Sequence, residues 1–146
     1  MKAQDTTGLN EQACMLRFGT VSDYDPARHM ARVKFPDRDG IISGWLPVAA
    51  RNTKSNHDEN PLDVDEHVLC LMEGNGTESG AVMCAIYDDT NKPLTADKDT
   101  RTTRYDDGTT ITYDRANHVL TVDVQGDITI KATGNVKIQG GRIDLN

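Results

Sequence analysis

The sequence has few cysteines, few aromatic residues and a deficit of positive charge. Its three cysteines (Cys14, Cys70 and Cys84) are too few and too scattered for a disulfide scaffold, which indicates synthesis in a reducing compartment. Aromatic residues make up 5% of the 146 residues, and none lies beyond residue 113. The net charge of −7 opposes attraction to phosphate backbones. We therefore expect no nucleic-acid partner.

Long apolar runs are also missing. No segment approaches the roughly 18–20 consecutive apolar residues that span a bilayer. The opening residues Met1–Thr7 contain no apolar stretch of the kind found in secretory signal peptides. We therefore expect synthesis in the cytoplasm without a signal peptide, and no membrane anchor.

The composition changes near Pro93. All five prolines and all three cysteines lie at or before that residue. Residues 1–93 carry a net charge of −6, whereas residues 94–146 carry −1. Because Asp88–Pro93 is rich in turn-forming residues, it predicts a joint between two units. We expect an N-terminal arm over 1–14, a domain over 15–93, and a linker with an extended β-structure over 94–146.

The segment 15–93 is predicted to be all-β. Apolar and polar residues alternate over 16–21 and again over 31–35. A third strand is expected from Ile41 to Val48, and two more over 64–71 and 81–87. Five short strands in about 75 residues fit a small closed barrel, because closure removes exposed strand edges. We therefore predict a five-strand OB-like barrel.

The segment 106–145 has a more regular pattern. Two strands are expected around Ile111 and over 119–124. Three repeats of the form glycine, polar, aliphatic, polar, aliphatic then begin at Gly126, Gly134 and Gly141. Because side chains alternate along a strand, the aliphatic residues share one face. The face predicted from this pattern consists of Ile111, Tyr113, Leu120, Val122, Val124, Ile128, Ile130, Val136, Ile138, Ile143 and Leu145.

One chain cannot cover this apolar face with a second layer of its own. Burying six aliphatic side chains at about 1.5–3 kcal/mol each contributes about 9–18 kcal/mol per chain. That gain is comparable to the net stability of a whole domain. Two chains would leave open edges, whereas three can wind into a closed prism. We therefore predict an intertwined homotrimeric β-helix, and keep a monomeric β-solenoid as the competing interpretation.

Residue patterns for catalysis or metal binding are weak. The histidines His29, His57, His67 and His118 are not spaced with cysteines or carboxylates as metal ligands are. Cys70 and Cys84 lie within apolar strands, which favours a packing role over a nucleophilic one. We therefore expect no enzyme activity, no catalytic residues, no metal and no cofactor.

Three segments carry a resemblance to a known family. They are Phe18–Val33 with its Asp25-Pro26 turn, Glu66–Tyr87 at the end of the predicted barrel, and Tyr105–Asp114 running into the glycine repeats. In this order they resemble the baseplate assembly protein V family, the central spikes of contractile phage tails related to the VgrG proteins. The resemblance implies an OB-fold domain that docks under the tail hub and a trimeric β-helix that forms a membrane-piercing needle.

The C-terminal end departs from that family. Longer relatives close the needle with a His-X-His tip that binds iron, whereas this sequence has no histidine after His118. We therefore predict no tip metal. The predicted distal tip consists of Arg142, Ile143, Asp144, Leu145 and Asn146. Its apolar end leads to the hypothesis that a separate tip protein of the PAAR type caps it.

The function expected from the resemblance is mechanical. A trimeric spike made in the bacterial cytoplasm would join a virion tail baseplate or a tail-like particle, and contact the target outer membrane transiently. Phage, tail-like bacteriocin and secretion-type systems remain open. The alternatives are an OB-fold binding module for single-stranded nucleic acid or oligosaccharide, and a trimeric fibre or adhesin.

Overall fold

The protein is all-β in a computed structural model that describes residues 15–74 and 76–145. The predicted arm over 1–14 and Asn146 lie outside the described residues. The chain divides into two compact units, Met1–Pro93 and Leu94–Asn146. Within the described ranges, no helix has the length and apolar character needed to cross a membrane.

The first unit contains one antiparallel sheet, in the order β3-β2-β1-β5-β6, with β4 also paired to β2. Strand β1 therefore lies in the middle of the sheet, between β2 and β5. The strands are β1 (Leu16–Asp25), β2 (Met30–Phe35), β3 (Ile41–Ile42), β4 (Leu46–Pro47), β5 (His67–Met72) and β6 (Gly80–Ala85).

The sheet is not closed into a barrel, so the predicted closed barrel is corrected. The sheet comes closest to closing where the end of β4 meets β6. There Val48 forms an isolated parallel bridge with Val82, and the Ala49 N–H donates to the Val82 carbonyl at 2.8 Å. Because β4 has only two residues, it provides too little backbone for a continuous ladder to β6.

The predicted third strand, Ile41–Val48, is interrupted at Ser43. The Ser43 hydroxyl accepts the Val33 N–H at 2.9 Å, in place of a backbone carbonyl of the facing strand. That hydroxyl donates in turn to the Gly44 carbonyl at 2.6 Å. A serine side chain that competes for ladder hydrogen bonds breaks regular pairing. The segment therefore forms two short strands, β3 and β4.

Other boundaries differ from the predicted ones for local reasons. Strand β1 continues to Asp25 because a register shift after Val21 lets pairing with β2 resume at Asp23. Strand β5 begins at His67 rather than at Val64, since Asp65 has a φ of 72° and lies in a turn. A positive φ is incompatible with an extended strand.

The core of the first unit lies on the inner face of this sheet. Phe35, Leu46 and Met72 are its largest fully buried side chains. Arg17 also points inward from β1, and its guanidinium lies 5.7 Å from the centre of the Phe35 ring and 3.8 Å from Asp37 Oδ2. A buried arginine is tolerated when its charge is paired and its ring contact is favourable.

The second unit contains a three-stranded antiparallel sheet of β7 (Thr100–Arg104), β8 (Thr110–Asp114) and β9 (Val119–Asp123). The expected strands around Ile111 and from Val119 are confirmed. Strand β7 was not predicted, because its sequence Thr-Arg-Thr-Thr-Arg contains no apolar residue. From residue 124 to residue 145 the single chain forms no strand.

Two hairpins, one in each unit, share one turn geometry. Asp25 pairs with Met30, and Asp114 pairs with Val119, each across four residues. In both turns the Oδ1 atom of the aspartate accepts the N–H groups two and three residues ahead. The last loop residue is a histidine with positive φ, 52° at His29 and 58° at His118.

The aspartates of both turns have lowered pKa values. A side-chain hydrogen bond from Arg28 lowers the pKa of Asp25, and one from Asn117 lowers the pKa of Asp114. A carboxyl group with a lowered folded-state pKa stabilises the fold above its unfolded pKa and loses that effect as the pH falls. Acidification below about pH 4 therefore weakens both hairpins.

We predict that glycine stabilises the fold more at one turn position than at the other. His118→Gly should raise the free energy of unfolding by about 1 kcal/mol, because glycine adopts the left-handed conformation without strain. His29→Gly should raise the free energy of unfolding less than His118→Gly does, since it also removes the hydrogen bond between His29 Nδ1 and the Tyr24 hydroxyl, which are 2.7 Å apart. Thermal unfolding of both variants tests this. Ala116→Gly, at a position without positive φ, is the control and should not stabilise.

Candidate functional site

One face of the β7-β8-β9 sheet is apolar and uncovered on β8 and β9, while β7 contributes Arg101 and Thr103 to that face. Ile111 pairs with Val122, and Tyr113 pairs with Leu120, so that all four side chains lie on one face. Each is at least 40% exposed, and Leu120 is 65% exposed. A three-stranded sheet normally buries its apolar face against a second layer. These four members of the predicted trimer core are therefore brought together on one exposed surface.

The opposite face of this sheet is polar. Thr102, Thr112 and Thr121 form a row across the three strands. The Oγ1 atoms of Thr102 and Thr112 lie 3.3 Å apart and form a hydrogen bond. Cross-strand threonine pairs stabilise an exposed sheet face without needing apolar cover. The threonine face is therefore suited to water, whereas the opposite face is apolar on β8 and β9.

The aliphatic residues of the glycine repeats are uncovered as well. Ile130 is 71% exposed, and Val124 is half-buried. The repeat residues with more than half of their surface exposed are Ile128, Ile130, Val136, Ile138, Ile143 and Leu145. Exposure of so many aliphatic side chains in one short segment marks an interaction surface in soluble proteins.

The predicted distal tip has one internal ion pair. Arg142 Nε lies 2.8 Å from Asp144 Oδ1, with both side chains largely exposed. Ile143 and Leu145 alternate with these charged residues, and Leu145 is 93% exposed. Exposed ion pairs contribute little to stability. The described part of the tip therefore consists of two uncovered aliphatic residues beside a solvated pair.

The histidines and cysteines of the first unit do not form a common site. His29 bonds Tyr24, and the ring of His67 lies 5.8 Å from the ring of Phe18. Cys70 is buried in the core, whereas Cys84 is exposed on β6. Within residues 15–74 and 76–145, no group of three or more potential ligands is placed to hold a metal ion.

A cleft of about 710 Å³ lies at one end of the first sheet. Four carboxylates line it, together with Thr20 and His67. Two of these carboxylates shape the local turns: Glu66 accepts the Asp63 N–H at 2.9 Å, and Asp88 accepts the Asn91 N–H at 2.6 Å. Carboxylates repel phosphodiesters, so this acidic cleft (Asp63, Asp65, Glu66 and Asp88) is unsuited to an oligonucleotide.

Sequence reasoning missed several features of the first unit. Trp45 is covered by two cations: the guanidinium carbons of Arg28 and Arg32 lie 4.9 and 6.0 Å from the centre of its ring. Arg28 lies in the turn after β1, Arg32 lies on β2 and Trp45 lies just before β4, and the sequence pattern does not show that these three positions meet. The acidic cleft could have been anticipated from the carboxylate-rich segment 58–66.

Comparisons with known proteins give no family assignment. The chain matches no model of a protein family, and no curated protein matches it.

The two described cysteines should differ in reactivity. Burial raises the pKa of the Cys70 thiol to about 12, so almost no thiolate exists there at pH 8. Exposed Cys84 should react with iodoacetamide at pH 8 while Cys70 stays unmodified. Peptide mapping by mass spectrometry measures both sites in one sample. Equal alkylation in the folded protein would contradict the buried position of Cys70.

Proposed function

We propose that the chain is the central spike of a contractile tail or injection baseplate, a homotrimer that perforates the target envelope. The observation that carries this proposal is the row of uncovered aliphatic side chains from Ile111 to Leu145. These residues recur at the spacing of a β-strand, and nothing in the described part of their own unit forms a second layer over them. Three copies wound about a common axis would bury all of them.

The proposed trimer core extends the apolar face of β8 and β9 into the glycine repeats. A trimeric β-helix over these repeats would pair each strand with a neighbouring chain, so that no strand edge remains free. The side chains opposite the apolar row, such as Thr129, Lys131 and Lys137, would then face water. Such a needle combines a dry centre with a polar outside.

The proposed role of the needle is to transmit axial force. Sheath contraction, supplied by other proteins, would drive the trimer through the outer membrane. Interchain hydrogen bonds share the load over many strands, and the polar outside lets the needle pass through lipid without staying there. No catalytic residue or cofactor takes part in this function.

The proposal also assigns roles to the two ends of the spike. The first unit would be an OB-like domain that docks under the tail hub; the parallel bridge between Val48 and Val82 supports an OB-like strand order. At the other end, Ile143 and Leu145 would offer an apolar seat for a tip protein of the PAAR type. Mass spectrometry of assembled particles tests for that tip protein.

Ile130→Asp should abolish trimerisation. The variant would place three carboxylates close to one another on the proposed axis, where burial of unpaired like charges is strongly unfavourable. Sedimentation velocity should give a monomer for Ile130→Asp and a trimer for the unchanged protein. The matched control is Thr129→Asp, which adds the same charge one residue away on the polar face and should remain trimeric.

Fluorescence of Trp45, the single tryptophan, reports whether the first unit stays folded in both variants. An Ile130→Asp protein that is trimeric, with unchanged thermal stability, would contradict the proposed packing. If only Thr129→Asp lost the trimer, the proposal would have assigned the wrong face of the strand to the axis.

A further inference from the structure

The outer face of β1, β5 and β6 is a second uncovered apolar surface, and it belongs to the first unit. Leu16 pairs with Leu71, which pairs with Ala81, to form one row across the three strands. Phe18, Leu69 and Cys84 form the next row. Paired residues of antiparallel strands point to the same side. We call this surface the outer face.

The outer face is exposed and uncharged. Leu16, Phe18 and Leu71 are each about half-exposed, at 51%, 50% and 46%, and Met83 adds a further exposed apolar side chain. Neither row contains a charged residue, although 27% of the residues in the chain are charged. The inner face of the same strands is already buried in the core through Val68, Cys70 and Val82. The outer face is therefore not needed to stabilise the unit, and its apolar character fits binding.

The acidic cleft adjoins one end of this outer face. Thr20 and His67 line the cleft and pair with each other across β1 and β5, in the row after Phe18. The ring contact between Phe18 and His67 joins the two surfaces. The Nδ1 atom of His67 is buried and has no hydrogen-bond partner within the described ranges. The two surfaces therefore form one continuous region.

Carboxylates flank both ends of the outer face. The cleft carboxylates lie at the His67 end, and none of them forms an ion pair among the described residues. At the other end, Glu73 follows β5 and Glu78 precedes β6; Ser79 donates to Glu73 Oε2 at 2.6 Å. The region thus has an apolar centre and carboxylates at both ends, which we call its acidic rim; exposed Lys34, which pairs with Thr20, lies on its β2 side.

This charge pattern decides which occupant fits. A second copy would bring the same acidic rim against itself, from a unit of net charge −6. Residues 1–14 carry two carboxylates against one lysine, Lys2, so they do not complement the rim either. Basic residues around an apolar centre would complement both parts of the surface.

We propose that the outer face together with the acidic cleft binds a different protein, whose contact surface is apolar in the middle and basic at its edge. The rows of Leu16 and Phe18 bury the apolar centre of the partner, and the carboxylates at the rim pair with its lysines or arginines. The surface lies in the first unit alone, so this proposal does not depend on the trimeric spike.

A synthetic peptide of alternating leucine and lysine serves as the probe, with a leucine–glutamate peptide of equal length as its counterpart. Fluorescence anisotropy with the full chain should show saturable binding of the lysine peptide that weakens with added salt. The glutamate peptide should not bind. Equal binding of both peptides, or of neither, would overturn the proposal.

Two variants locate the binding on the protein. Leu71→Asp, in the centre of the outer face, should weaken binding of the lysine peptide at least about tenfold. Its matched control is Ile41→Asp, which introduces the same charge at a similarly exposed position on β3 and should leave binding unchanged. The double variant Asp63→Asn with Asp65→Asn should reduce the salt dependence, because it removes two rim charges.

Equal affinities of the Leu71→Asp and Ile41→Asp proteins would overturn the proposal. The proposal would also be overturned if the full chain did not bind the peptide but a chain lacking residues 1–14 did. That result would mean that the N-terminal segment occupies the surface. If Leu71→Asp changed the oligomeric state, the outer face would instead be a contact between copies of this chain. The mass of the unbound protein, measured separately, tests the trimer independently of these outcomes.

Discussion

The need to cover an apolar face that has no second layer governs the second unit of this protein. Ile111, Tyr113, Leu120 and Val122 share one side of a three-stranded sheet, and nothing within the described part of their own unit packs over them. The same pattern continues through the glycine repeats as far as Leu145. Burial of such side chains is worth about 1.5–3 kcal/mol each, so a partner surface has a large effect on stability. The proposed trimer follows from this constraint.

The first unit, in contrast, covers its main apolar residues within one chain. Its sheet curves around Phe35, Leu46 and Met72 and buries them within one chain, although the ladder stays open between β4 and β6. What remains uncovered is an outer face with carboxylates at both ends, which we propose to be complementary to a basic partner. Under the two proposals, the second unit contacts identical copies and the first unit contacts a different protein.

Much of the β-structure could be predicted from alternation alone. Strands β1 and β2 and the strand from Val119 follow the two-residue period directly. Strand β7 could not be predicted, because its five residues are all polar and its pairing with β8 depends on backbone hydrogen bonds. The break at Ser43 depends on one hydroxyl that bonds the Val33 N–H, and a hydrophobic pattern does not encode such a competition. The exposed outer face depends on register between distant strands, which single-strand patterns leave open.

The mass of the unchanged protein in dilute solution tests the central claim most directly. Sedimentation equilibrium should give a species near three times the chain mass of 16.1 kDa, with no dissociation to single chains on moderate dilution. A folded species of 16.1 kDa at the same concentrations would contradict the account, because the aliphatic residues from Ile111 to Leu145 would then be stable without cover from other copies.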